Sequence, residues 1–169
     1  MKTVLVCYTT RYGSTGEIAS IIAEELVKAN LEVTLSPISL VKDPGTSDAV
    51  VIGSPLYMGK WLAEAREFVS RFRRELKTRP VAVFTVGYSF RDQMKEYIPV
   101  GEEALAPIRV FISPVAAAYF AGRIDPDRMS LTDREVIRLA GVSPGDFRNP
   151  AAVGQWAREL PSILFPPEK

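Results

Sequence analysis

Short apolar stretches alternate with segments of helical period along this chain. Val4–Tyr8 is an apolar run that reads as a buried strand, and Glu17–Lys28 follows with Ile18, Ile21, Ile22 and Leu26 on one helical face. Leu31–Pro37 alternates and carries β-branched residues, which predicts a second strand. Ala49–Gly53 is wholly apolar, as a strand is when helices cover both faces of its sheet. Trp61–Leu76 predicts a helix with Trp61, Ala65, Phe68, Phe72 and Leu76 inward. Pro80–Val86 reads as another buried strand, Asp92–Leu105 as a weak helix containing Pro99, and Val110–Tyr119 as a last strand interrupted near Pro114. Asn149 and Pro150 form a helix start, Val153, Trp156, Ala157 and Leu160 its buried stripe, and Pro161 its expected end.

Five strands alternating with helices imply an α/β fold built on a parallel, doubly wound sheet. At 169 residues the chain fits a single domain, 1–169. In such sheets ligands sit beyond the carboxyl ends of the strands, so the loops Thr9–Thr15, Ser54–Trp61 and Gly87–Asp92 should converge. The first is hydroxyl-rich and runs from strand to helix. A helix N-terminus presents unpaired N–H groups and partial positive charge, so this loop reads as a phosphate cradle. Thr9, Thr10, Ser14 and Thr15 would donate from their hydroxyls, and Gly13 would let the backbone approach. It is neither a Walker A loop nor G-x-G-x-x-G, and its few charges suit a terminal phosphate monoester. The competing assignment is a plain S-x-x-E capping box of Ser14 with Glu17. The second and third loops hold Tyr57, Met58 and Trp61, and Tyr88 and Phe90, which suits stacking on a flat heterocycle. Trp61 fits core packing equally well.

Composition narrows the chemistry. There is no histidine and one cysteine, so histidine triads, the usual zinc sites and internal disulfides are excluded. Cys7 lies within the first strand and reads as a core residue. Reactivity must come from a cofactor or from carboxylates, hydroxyls, Lys, Tyr or Cys7. A net charge of +1 gives no global field toward nucleic acid. Residues 1–8 are too short for a secretion signal, and no run approaches the roughly 20 apolar residues of a membrane span. The expectation is a cytoplasmic protein.

The first loop, Val6-x-Tyr8-x-Thr10-x-x-Gly13-x-Thr15-x-x-x-Ala19, together with GSPLYMGKW, resembles the flavodoxins, with Cys7 in place of a larger apolar residue. TTRYGSTGEIA, FAGRIDPDRMSLTDREVIRLAG and GDFRNPAAVGQWARE are similar to the flavodoxin-domain group that includes the menaquinone-dependent protoporphyrinogen oxidases. The resemblance implies a flavodoxin-like three-layer sandwich with strand order 2-1-3-4-5 and noncovalent FMN. It implies phosphate contact from Thr10, Arg11, Tyr12, Gly13, Ser14 and Thr15. It implies Ser54, Pro55, Leu56, Tyr57, Met58 and Gly59 on one side of the isoalloxazine, and Thr85, Gly87, Tyr88 and Phe90 on the other side and at the ring edge. Arg11 is expected either to pair with the phosphate or to point outward, the second being favoured.

Residues 121–149 are too long for an ordinary connection. Thr132-Asp133-Arg134-Glu135 suggests a cap for a short helix, Asp133–Ala140. One expectation is a solvated excursion packing Met129 and Leu131 onto the domain; the other is a platform beside the flavin for a hydrophobic substrate or quinone bearing carboxylates. The arginines here and along Trp61–Arg79 would face solvent, an acidic redox partner or, at most peripherally, a membrane surface. Three functions follow. The first is an FMN oxidoreductase passing electrons from a small organic donor to a quinone-like acceptor, as in the protoporphyrinogen oxidases. The second is a flavodoxin-type carrier serving other redox enzymes, although typical carriers are strongly acidic. The third is a non-redox phosphate- or nucleotide-binding module.

Overall fold

In the computed structural model, which describes residues 1–92 and 97–169, the apolar stretches lie side by side as one sheet. Its strands are β1 (Thr3–Tyr8), β2 (Glu32–Pro37), β3 (Ala49–Tyr57), β4 (Lys60–Trp61), β5 (Val81–Val86) and β6 (Ala116–Phe120). Five run parallel in the order β2-β1-β3-β5-β6, and β4 folds back antiparallel on β3. Counting the parallel strands alone, this is the expected order 2-1-3-4-5.

The helices are α1 (Ser14–Lys28), α2 (Ala63–Arg71), α3 (Arg73–Lys77), α4 (Ile98–Arg109), α5 (Leu131–Leu139) and α6 (Pro150–Leu164). Strand alternation decides which of them covers which face. Val4, Val6, Val51 and Phe84 point to one side, where α1 supplies Ile18, Ile22 and Leu26, and α6 supplies Val153, Ala157 and Leu160. Leu5, Cys7, Ile52 and Val83 point to the other, against Ala65, Phe68 and Val69 of α2, Leu76 of α3, and Leu105 and Ile108 of α4. Cys7 is fully buried, which pushes its thiol pKa far up and leaves it unreactive at neutral pH. Asn149 Oδ1 accepts from Ala152 N at 3.1 Å, forming the expected cap of α6.

Several boundaries differ from the sequence pattern. The Trp61–Leu76 helix is two helices that break at Phe72, whose φ of −102° and ψ of 22° leave the helical region. Part of the weak helix expected over Asp92–Leu105, residues 93–96, lies outside the described residues; α4 runs from Ile98 through Pro107 to Arg109. Val110–Ile112 is a turn and not the start of a strand, because Phe111 N and Ile112 N both bond back to Ile108 O, at 3.0 and 3.1 Å. Ile112 is still buried from that turn. Pro161 sits inside α6, which continues to Leu164. No helix among the described residues is long and apolar enough to cross a membrane.

Between β6 and α6 the chain leaves the sheet. It passes through β7 (Arg123–Ile124), α5 and β8 (Gly145–Asp146), and β7 and β8 pair antiparallel as a small ribbon. The cap of α5 is Ser130, two residues before the expected box; its Oγ accepts from Asp133 N at 3.1 Å.

Candidate functional site

β1 delivers the chain to a tight loop whose shape is set by backbone bonds. Thr9 N donates to Gly53 O at 3.0 Å, tying the loop to the end of β3. Gly13 N donates to Thr10 Oγ1 at 2.8 Å, and Gly13 adopts a φ of 96°, a left-handed conformation that disfavours any side chain. Gly13 is the N-cap of α1, and no side chain caps the helix. The capping box of Ser14 and Glu17 does not form: Glu17 turns away to pair with Arg123 at 3.4 Å and with Arg148. The first-turn amides therefore have no side-chain cap to accept from them, which leaves the helix start open to an anion. Arg123 and Arg128 bring guanidinium nitrogens to 3.9 and 4.0 Å from where a Cβ on Gly13 would lie.

A cavity of about 320 Å³ opens above this turn. The first loop contributes Thr10, Arg11, Tyr12, Ser14 and Thr15; the second contributes Pro55, Leu56, Tyr57, Met58 and Gly59; the third contributes Val86, Gly87, Tyr88 and Ser89. Such a volume lies within the ~300–1,000 Å³ of small-molecule sites. Met58 (φ 52°) and Gly59 (φ 78°) form the two-residue turn between β3 and β4, both left-handed, which matches the twist of a tight hairpin and holds Tyr57 at the cavity edge. Tyr88 is fixed edge-on to Phe147, ring centroids 5.3 Å apart, with the Arg91 guanidinium 3.9 Å from its own centroid.

Four expected contacts lie apart from the cavity wall. Gly13 shapes the loop beneath it. Ser54 is fully buried, its Oγ accepting from Leu62 N at 3.0 Å and donating to Pro55 O. Thr85 is also fully buried and accepts from Trp61 Nε1 at 2.8 Å, so the indole belongs to the core. Phe90 packs on Tyr119 with centroids 5.2 Å apart. Both hydroxyls thus find partners within the protein, and the neighbouring residues face the cavity.

The opposite wall comes from the excursion, through Gly122, Ile124, Met129, Asp133, Val136, Ile137, Ala140 and Val142. Leu131, expected to pack inward, is 79% exposed. Asp133 is the residue sequence reasoning missed. Its carboxylate is 2% exposed and receives Arg11 Nε at 2.8 Å, the Tyr57 hydroxyl at 2.8 Å and the Tyr12 hydroxyl. Arg11 thus does not stand free: its side chain is 40% exposed, yet its guanidinium pairs with Asp133 and lies over the Tyr57 ring, 4.3 Å from the centroid. Burial alone would raise the Asp133 pKa, but the bonds from Arg11, Tyr12 and Tyr57 outweigh it and hold the carboxyl at about 2. The Tyr57 phenol is raised by the same bond and by burial, so it stays protonated as a donor.

A depressed acid favours the folded arrangement only while ionised. The contribution of Asp133 is therefore complete above about pH 4, the unfolded carboxyl range, and disappears as pH falls through 2. Methyl NMR signals of Val136 and Ile137 should hold their positions from pH 7 to about 4 and move below it; a transition centred above pH 5 would contradict this electrostatic account.

A family model described as "Flavodoxin domain" matches residues 5–145. Protoporphyrinogen IX dehydrogenase [quinone] of Escherichia coli (strain K12) is 28% identical, across 99% of this chain and 98% of that protein. Among solved structures, oxidised Flavodoxin 1 from Bacillus cereus is similar at a TM-score of 0.60 and 12% identity, covering 95% of this chain and 97% of its own. The Streptococcus pneumoniae TIGR4 flavodoxin is similar at a TM-score of 0.59 and 16% identity, covering 95% and 98%. At those identities the two structures speak to the fold alone.

Proposed function

The chain belongs to the flavodoxin-domain family, and on that premise we propose that it holds FMN in the cavity above α1 and passes electrons between a small organic donor and a quinone-like acceptor. The family binds a flavin, typically FMN. The donor set fits that group. An uncapped helix N-terminus, three hydroxyls and two nearby guanidiniums suit a phosphate monoester, and the aromatic and apolar walls suit a flat ring. The carrying observation is the uncapped start of α1 at the floor of a cavity bounded by Tyr57 and Tyr88.

In this proposal Thr10, Ser14, Thr15 and the first-turn amides hold the phosphate, while Arg11, Tyr12 and Gly13, expected as phosphate contacts too, shape and brace the loop. Pro55, Leu56, Tyr57, Met58 and Gly59 border one side of the ring, and Gly87 and Tyr88 the other. A bound flavin supplies the redox chemistry. The protein orients it, limits water with Met129, Val136 and Ile137, and keeps Tyr57 protonated through Asp133. With no histidine in the chain, protons exchange with water or a tyrosine hydroxyl. A cytoplasmic setting belongs to the same proposal.

The name of the E. coli relative gives the donor and acceptor classes for that protein. For this chain, the apolar wall from α5 favours an enzyme with its own small substrate over a carrier, because it offers a small molecule an apolar surface beside the ring.

Titration of the purified apoprotein with FMN should quench flavin fluorescence, and riboflavin, which lacks the phosphate, should bind about a hundredfold more weakly. Equal affinity for the two would remove the phosphate cradle from the proposal. Protoporphyrinogen turnover with a menaquinone analogue then separates the enzyme from the carrier.

A further inference from the structure

We propose that α5 is a lid over the cavity, hinged on the β7–β8 ribbon and fastened by the Asp133 carboxylate, and that ligand enters and leaves when this fastening opens. What passes through the lid rests on the FMN proposal; the lid itself does not.

The first observation is how α5 is attached. Asp133 is its sole buried residue, whereas α1 buries Ile18, Ile22 and Leu26, and α6 buries Val153, Leu160 and Leu164. Leu131 and Leu139 are 79% and 74% exposed, and Val136 and Ile137 are half-buried along the cavity. A nine-residue helix has little stability of its own, and one held by polar bonds without an apolar seam opens at far lower cost than the core.

The second is where the fastening lies. Arg11 and Tyr12 belong to the loop after β1, and Tyr57 to the end of β3, so one carboxylate ties α5 to two of the three loops that line the cavity. Ser130 N reaches the Tyr12 hydroxyl at 3.4 Å, and Ser143 N reaches the Tyr88 hydroxyl at 3.3 Å, as lesser ties.

The third is the fixed base. Phe147 N donates to Gly122 O at 3.1 Å, β7 pairs with β8, and Arg123 and Arg148 both hold Glu17 of α1. Residues 125–144 can therefore swing while their two ends stay anchored, which is the anatomy of a hinge whose motion is absorbed at element ends.

Hydrogen exchange of the ligand-free protein tests the lid, with Asp133→Ala and Tyr57→Phe compared to wild type. In Asp133→Ala, amides of 131–139 should exchange about tenfold faster or more, since three donors lose their acceptor, while those of β1, β3 and β5 are unchanged. Tyr57→Phe, which keeps two donors, should give a smaller rise. FMN dissociation from Asp133→Ala, followed by stopped-flow fluorescence, should rise in parallel. Unchanged exchange in 131–139, or equal acceleration in the sheet, overturns the lid, as does faster exchange with unaltered FMN dissociation. Failure of FMN to bind the wild-type chain overturns the cofactor proposal instead, and the exchange comparison, made without ligand, still decides the lid.

Discussion

Thr10→Val combined with Thr15→Val should raise the dissociation constant for FMN by a factor of about 10² to 10⁴. A hydrogen bond to a charged partner contributes about 1.5–3 kcal/mol, and two are lost together. Each hydroxyl is placed for the task. Thr10 Oγ1 already accepts from Gly13 N at 2.8 Å, which leaves its proton to donate toward an anion above the loop. Thr15 is 1% exposed on the first turn of α1 and lines the cavity, so water competes poorly with a bound phosphate there. Valine keeps the outline of threonine but takes the acceptor from Gly13 N, so part of the loss at Thr10 comes through the loop's shape, and melting should change less than the affinity. Affinity within threefold of wild type would mean that the phosphate, if bound, is held elsewhere.

Phe84→Ala should destabilise the fold by about 3–5 kcal/mol, the usual cost of emptying a buried phenyl site. For a chain of this length that lowers the melting temperature by about 6–20 °C. Phe84 is fully buried on β5, between Phe120 and Trp156, with each centroid 6.4 Å away. Its ring also occupies the space above Gly53 on the neighbouring strand, where a Cβ would come within 2.0 Å of it. That contact leaves little for relaxation to fill, because the glycine opposite has no side chain to move in. Thermal unfolding followed by circular dichroism measures the shift. FMN affinity measured well below the transition should stay near wild type, since Phe84 does not line the cavity. A fall of under about 3 °C would mean that the surrounding side chains collapse into the void.

The sheet was legible because its inner strands β1, β3 and β5 are apolar runs that need covering on both faces, and that requirement is written residue by residue in Val4–Tyr8, Ala49–Gly53 and Pro80–Val86. The three loops at the strand ends were legible for the same reason, since topology alone gathers them. Asp133 was not. It stands at the start of a short helix, where a carboxylate ordinarily signals a cap, and its partners Arg11, Tyr12 and Tyr57 lie 122, 121 and 76 positions away. No spacing rule spans such distances. Ser54 and Thr85, placed beside the flavin by the resemblance alone, have hydroxyls that accept from a buried indole and a buried amide, partners that no local pattern announces. Val110–Ile112 illustrates a third limit, because an apolar run can form a turn that buries only its last residue: Ile112 is buried while Val110 is 74% exposed.

The ribbon of β7 and β8 makes residues 125–144 an exchangeable cassette. The chain departs and returns through two hydrogen-bonded neighbours, so a graft of different length would add little closure entropy and leave every sheet contact in place. Homologous swaps or shortened inserts at Ile124 and Gly145 could therefore retune which molecules reach the pocket, much as interchangeable jaws refit one handle, without redesigning the scaffold beneath.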